Sequence, residues 1–179
     1  MKIKLFQPNN QPVKPVSVPP TRFDCVLDLV VLFLCILSWA LAIGLYLDAP
    51  EQIPTGFDAM GNPRSWGSPV FYFFFAVMAT FVTALMFVCL RYPQLINLPV
   101  TLNEQTIIPQ SALMARCIRW INIICSLIFL LILTQVGGYQ YGPMKLNTTN
   151  FILGIFLLIF VMIGIIIFYT ARISRVKTK

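Results

Sequence analysis

Residues 151–170 read FILGIFLLIFVMIGIIIFYT, a run without a single charged side chain or proline. A helix that crosses a bilayer needs about 20 mainly apolar residues, because the hydrocarbon core is about 30 Å thick and each residue rises about 1.5 Å. This stretch meets that length. Three further runs upstream meet the same test, at 118–136, 69–90 and 27–47. Lipid offers the backbone no hydrogen-bond partner, so a spanning segment must be a helix or part of a closed barrel. Continuous apolar runs lack the alternation of barrel strands. The composition agrees: 58% of the 179 residues are apolar and 11% are charged, with a mean hydropathy of +0.82, too apolar for a soluble domain. The expected fold class is an all-α membrane protein of four transmembrane helices.

Positive charge sets the orientation, since Lys and Arg near helix ends are retained on the cytoplasmic face. Lys2, Lys4, Lys14 and Arg22 precede the first run, Arg91, Arg116 and Arg119 flank the middle loop, and Arg172, Arg175, Lys177 and Lys179 follow the last. Only Arg64 and Lys145 fall on the other side. Both termini and the middle loop are therefore expected inside, and the connections near 48–68 and 137–150 outside. The net charge of +7 is accounted for by flanks that face anionic headgroups, and calls for no nucleic acid. Ala40-Leu41-Ala42 has the pattern of a signal-peptide cleavage site, but the apolar run continues through Leu47. The first run therefore reads as a span. The chain divides into a cytoplasmic tail at 1–23, a helix pair with its loop at 24–92, a cytoplasmic loop at 93–117, and a second helix pair with a basic tail at 118–179. Pro12, Pro15, Pro19 and Pro20 keep the first segment extended or mobile.

The first outer connection, DAPEQIPTGFDAMGNPRSWGS at 48–68, is dense in turn formers. Pro50, Pro54 and Pro63 each restrict the backbone, while Gly56, Gly61 and Gly67 admit conformations closed to other residues. Ser68 before Pro69 is a helix-start signal. Ile53, Phe57, Met60 and Trp66 are placed to fold back on the helix mouths or rest at the interface. The loop reads as a compact structured cap. Its spacing, Pro50-x-x-Ile53-Pro54-Thr55-x-Phe57-Asp58-Ala59-x-Gly61-Asn62-Pro63-x-x-Trp66-Gly67-Ser68, resembles the N-terminal domain of unknown function of SdpI-type bacterial immunity proteins. Where that pattern carries His after Ile-Pro-Thr, this chain has Gly56. The resemblance implies a bacterial inner-membrane protein whose relatives protect against a peptide toxin and pass a signal to a cytoplasmic repressor. The outer loop would then meet a peptide, and the middle loop, with its polar patch Asn103-Glu104-Gln105, a regulatory protein inside.

Ionisable residues within spans are costly, which singles out Asp28. Asp24 and Asp28 lie one turn apart on one helix face, near the depth at which Arg116 and Arg119 enter the third helix. Ion pairs between the first and third helices are expected there. Asn122, Thr134 and Gln135 on the third helix, with Ser38, Thr80 and Thr83, are candidates for hydrogen bonds between helices. Ala40/Gly44 and Ala76/Thr80/Ala84 form small-xxx-small faces that suit packing of the first helix on the second, or pairing of two copies in a homo-oligomer. The fourth run, rich in Phe, Ile and Leu, suits a helix facing lipid.

The six acids form neither a catalytic dyad nor a triad, and Asp48, Glu51 and Asp58 read as solvated loop acids rather than a cation site. With no His and no C-x-x-C spacing, the five cysteines read as small apolar side chains rather than zinc ligands. The chain reads as a non-enzyme without a cofactor. Besides immunity or sensing, a small transporter or channel subunit and a structural partner in a membrane complex remain as function classes. The orientation is testable with fusions. A reporter that folds only in the cytoplasm should be active after residue 179, and one that folds only outside should be active when inserted at 48–68. The opposite pattern overturns the assignment.

Overall fold

The computed structural model describes residues 19–58, 62–91, 107–141 and 148–176. Four helices, α1 (Arg22–Leu47), α2 (Phe71–Arg91), α3 (Ile107–Tyr141) and α4 (Thr148–Ser174), are joined to a hairpin of β1 (Ile53–Phe57) and β2 (Pro63–Gly67) between α1 and α2. All four helices are long and apolar enough to cross a membrane. The all-α expectation thus holds for the bundle, and the first connection adds a two-stranded antiparallel sheet. The tail at 1–18 and most of the middle loop, 92–106, lie outside the described residues.

Helix starts follow local chemistry. At α1, Thr21 and Asp24 form a reciprocal capping box: the Thr21 hydroxyl accepts from the Asp24 N–H at 3.3 Å, and the Asp24 carboxylate accepts from the Thr21 N–H at 2.8 Å. The helix accordingly begins five residues ahead of the expected position 27. At α2 the Ser68 hydroxyl accepts from Val70 N–H at 3.4 Å. The chain then enters the helix through i→i+3 bonds such as Phe71 N–H to Ser68 O at 3.0 Å. Helix α3 runs well past both ends of the expected 118–136 span, with Pro109 tolerated in its first turn.

α3 is the axis of the bundle, packing against α1, α2, α4 and β1. One core joins Ala42 and Leu45 of α1, Tyr72 and Ala76 of α2, Leu133 and Val136 of α3 and Ile53 of the hairpin. A second sets Leu27, Val31 and Leu34 against Ile123, and a third sets Ile173 of α4 against Met114 and Ile118. α4 is peripheral: Phe156, Leu157, Phe160 and Ile167 are exposed on a helix whose most apolar window contains no buried residue. Such a surface suits lipid, as read from its composition.

The small-residue faces pack as expected only in part: Ala76 is fully buried in the core shared with α1 and Thr80 meets α1, but the other positions do not. Ala40, Gly44 and Ala84 are exposed, and a Cβ built on Gly44 meets nothing within 4 Å. The α1–α2 contact instead uses Trp39 and Cys35 around Thr80: Trp39 Nε1 donates to Thr80 Oγ1 at 2.9 Å, with Cys35 Sγ 3.4 Å from the same oxygen. Bulky side chains with a shared polar atom replaced close backbone approach. Cys25 also departs from expectation, being exposed. The glycine that does permit close approach is Gly137, where an added Cβ would fall 2.5 Å from Leu45 Cδ1. Gly137→Ala should therefore cost about 1–3 kcal/mol by overpacking, whereas Gly44→Ala should cost nothing. Unfolding in mixed detergent micelles measures both, and equal effects would contradict the packing described.

Candidate functional site

Two groups of side chains stand out, one at each end of the bundle. At the end where α1 begins, Arg116 Nε lies 3.0 Å from Asp24 Oδ1 and Arg119 Nε 2.8 Å from Asp28 Oδ1. The spacing explains why both pairs form. Asp24 and Arg116 are 92 residues apart and Asp28 and Arg119 are 91 apart, so parallel helices present both carboxylates to both guanidiniums, one turn apart. The expected ion pairs between α1 and α3 are present in this geometry.

The weight falls on a different residue from the one singled out in the sequence. Asp24 has a side chain only 8% exposed, against 27% for Asp28, and it carries more bonds. One of its oxygens takes the Arg116 Nε, while the other accepts from the Thr21 N–H and, at 2.7 Å, from the Thr21 hydroxyl. Arg116 Nη2 also donates to Thr21 Oγ1 at 3.4 Å. The helix cap and the interhelical ion pair are thus one network centred on Asp24. The Thr21-Arg22-Phe23-Asp24 spacing is a capping-box signature, and it was the signal that would have found this hub.

Further along α3, buried Asn122 accepts from Thr83 Oγ1 of α2 at 3.4 Å. Ser38 and Thr134, expected to bond between helices, instead donate to Leu34 O and Leu131 O of their own helices. A hydroxyl in a helix reaches a carbonyl of the preceding turn without needing a partner helix. Gln135 is buried in α3.

At the other end the hairpin caps the helices. Ile53 is fully buried in the first core, so β1 is plugged into the bundle. Its register pairs Ile53 with Gly67, Pro54 with Trp66, Gly56 with Ser65 and Phe57 with Pro63, with irregularities around Gly56. Thr55 Oγ1 and Ser65 Oγ lie 3.2 Å apart across the strands. A Cβ on Gly56 would come within 2.5 Å of Ser65 Oγ, and one on Gly67 within 2.8 Å of Thr55 Cγ2. Small residues are thus needed at both positions for the strands to approach. The tip is closed by Asp58, which accepts from the Asn62 N–H at 2.8 Å and its side-chain amide at 3.2 Å, while the Asp58 N–H donates to Asn62 O at 2.9 Å.

Phe57 and Trp66 both stand edge-on to the ring of Tyr139 near the end of α3, with centroids 6.0 and 6.2 Å away. Tyr139, absent from the sequence-based candidates, is the support of this aromatic group. Trp66 remains 54% exposed. Pro54 is buried, Pro50 exposed and Thr55 half-buried; Met60 and Gly61 lie outside the described residues. The arrangement presents an aromatic surface of Phe57 and Trp66 on Tyr139 beside the Asp58–Asn62 bonds.

Residues 33–80 match the model of a domain of unknown function, DUF1648. That stretch contains the later part of α1, the whole hairpin and the first half of α2. It therefore includes the Trp39–Thr80 contact and leaves out Asp24, Asp28 and Arg119. No curated protein and no solved structure matches the chain.

Removing Asp24 strands Arg116 and opens the α1 cap. Asp24→Ala is expected to lower the unfolding free energy by about 3 kcal/mol. Asp28→Ala, at the more exposed pair, should cost about 1 kcal/mol. Denaturant titration in micelles gives the ranking, and a larger loss at Asp28 would contradict the assignment of Asp24 as hub.

Proposed function

We propose that the chain is a multi-pass protein of a bacterial inner membrane, with N- and C-termini inside and the hairpin outside, and that the hairpin recognises a membrane-active peptide, as in peptide-toxin immunity. The observation that carries this reading is the aromatic group at the hairpin: Phe57 and Trp66 rest on Tyr139, and Ile53 anchors the strand beneath them. Aromatic side chains held rigidly supply contact area at small entropic cost, and Trp and Tyr dominate binding hot spots for that reason. Trp66 is half free to take a partner. Its neighbour Arg64 is exposed and adds a positive charge.

Two sequence features support the placement. Charge asymmetry favours the hairpin outside, and the Ile53-to-Ser68 spacing resembles SdpI-type immunity proteins. A peptide arriving from outside would meet the hairpin before the bundle.

Expression in a susceptible bacterium, challenged with membrane-active peptide toxins, tests the reading. The intact chain should raise the tolerated toxin concentration, and Trp66→Ala should cut that protection about tenfold at equal membrane abundance, the loss of one hot-spot side chain. Absence of protection against every peptide, with normal insertion, would reject immunity and move the assignment to transport or to a structural role in a complex.

A further inference from the structure

Between the first turn of α1, the last turn of α2 and the early turns of α3 lies a cleft of about 90 Å³, with polar walls from Thr21, Asp24, Cys89, Ser111 and Arg119. Arg119 is only 9% exposed. Its guanidinium carries five N–H donors in a planar fork, yet among the described residues only Nε forms a hydrogen bond, to Asp28. Nη1 is 3.9 Å from Asp24 Oδ1, beyond hydrogen-bonding reach. Neither Nη atom donates to any described residue. Neither Nη atom is among the described polar atoms that are both fully buried and unpartnered, so both stay open to the cleft that Arg119 lines and can donate to an acceptor that enters it.

The carboxylates do not supply it. Asp24 Oδ1 is taken by Arg116, and Oδ2 by the Thr21 N–H and hydroxyl. Two carboxylates balance two guanidiniums, and the positive end of α1 then tips the local field towards an anion. Tetrahedral oxyanions match the guanidinium fork with two parallel bonds. Depth points the same way: α1 has 26 residues, about 39 Å of helix against about 30 Å of hydrocarbon, so its first turn can reach the headgroup layer.

We infer that this cleft binds a phosphate group, held by the two Nη atoms of Arg119 and the hydroxyl of Ser111. The phosphate is that of a lipid headgroup or a free ion; both present the same oxygens. The site lies at the opposite end of the bundle from the hairpin and does not depend on peptide recognition.

The test uses the purified full chain in phosphate-free detergent, with thermal unfolding followed as short-chain phosphatidylglycerol, diacylglycerol of the same chains, or inorganic phosphate is added. Two variants accompany it: Ala115→Leu, which fills the cleft from a lining position and leaves the Arg119–Asp28 bond, and Arg119→Lys, which keeps the charge and loses the fork. The wild type should show saturable stabilisation, with apparent affinity about tenfold weaker in each variant. Protection by phosphatidylglycerol but not inorganic phosphate identifies a headgroup, and protection by inorganic phosphate alone identifies the free ion. Equal protection by diacylglycerol, an unchanged response in Ala115→Leu, or no response to any probe in the wild type overturns the site. If Arg119→Lys fails to fold, the Ala115→Leu comparison decides.

Discussion

A charge that enters a bilayer must be paired or must leave, and this bundle is arranged around that constraint. Asp24 and Asp28 on α1 meet Arg116 and Arg119 on α3 in two ion pairs one turn apart. Apolar packing among Leu, Ile and Phe has little to distinguish one helix register from another in lipid, since hydrocarbon tails satisfy those side chains equally well. Two charged pairs at matched spacing remove that freedom. They hold α1 parallel to α3, and the same offset recurs at the far end, where Leu45 packs on Gly137. The capping box of α1 shares Asp24 with the ion pair, so helix start and helix register are set by one carboxylate.

Given that register, the remaining elements have few alternatives. α3 touches every other helix and extends beyond both ends of its apolar run. At one end its early turns bury Ile173 of α4 with Met114 and Ile118, and at the other Tyr139 supports Phe57 and Trp66. The long axis therefore serves both the polar network and the hairpin. α2 is tied to it through Thr83 and Asn122 and to α1 through Thr80 and Trp39. α4 adds a lipid-facing surface.

Much of this was legible in the residues. The four apolar runs mark the helices because no other structure satisfies the backbone in lipid. The spacing of Asp24, Asp28, Arg116 and Arg119 pointed to the pairs between α1 and α3, and Ser68-Pro69 marked the entry to α2. The strands were hidden because IPTGF and PRSWG contain proline and glycine and lack alternation; their pairing rests on cross-strand contacts that no local pattern announces. The extension of α3 ahead of its apolar run was legible from Ser111 onward, where Ala112-Leu113-Met114-Ala115 are good helix formers; the turn before it, with Pro109, and the turn after Val136, with Gly137 and Gly138, resemble loop. Small-xxx-small spacing was right for Ala76 and Thr80, which face α1, and misled for Ala40, Gly44 and Ala84, which point outward: Gly44 has the right neighbours in sequence and none in space.

The claim on which the account stands is that Asp24 and Arg116 bind each other across α1 and α3. A double-mutant cycle with Asp24→Asn and Arg116→Gln, read by unfolding in micelles, tests it directly. The account predicts a coupling of about 1 kcal/mol or more between the two changes. Strictly additive losses would show that the two side chains do not interact, and would contradict the register on which the bundle is built.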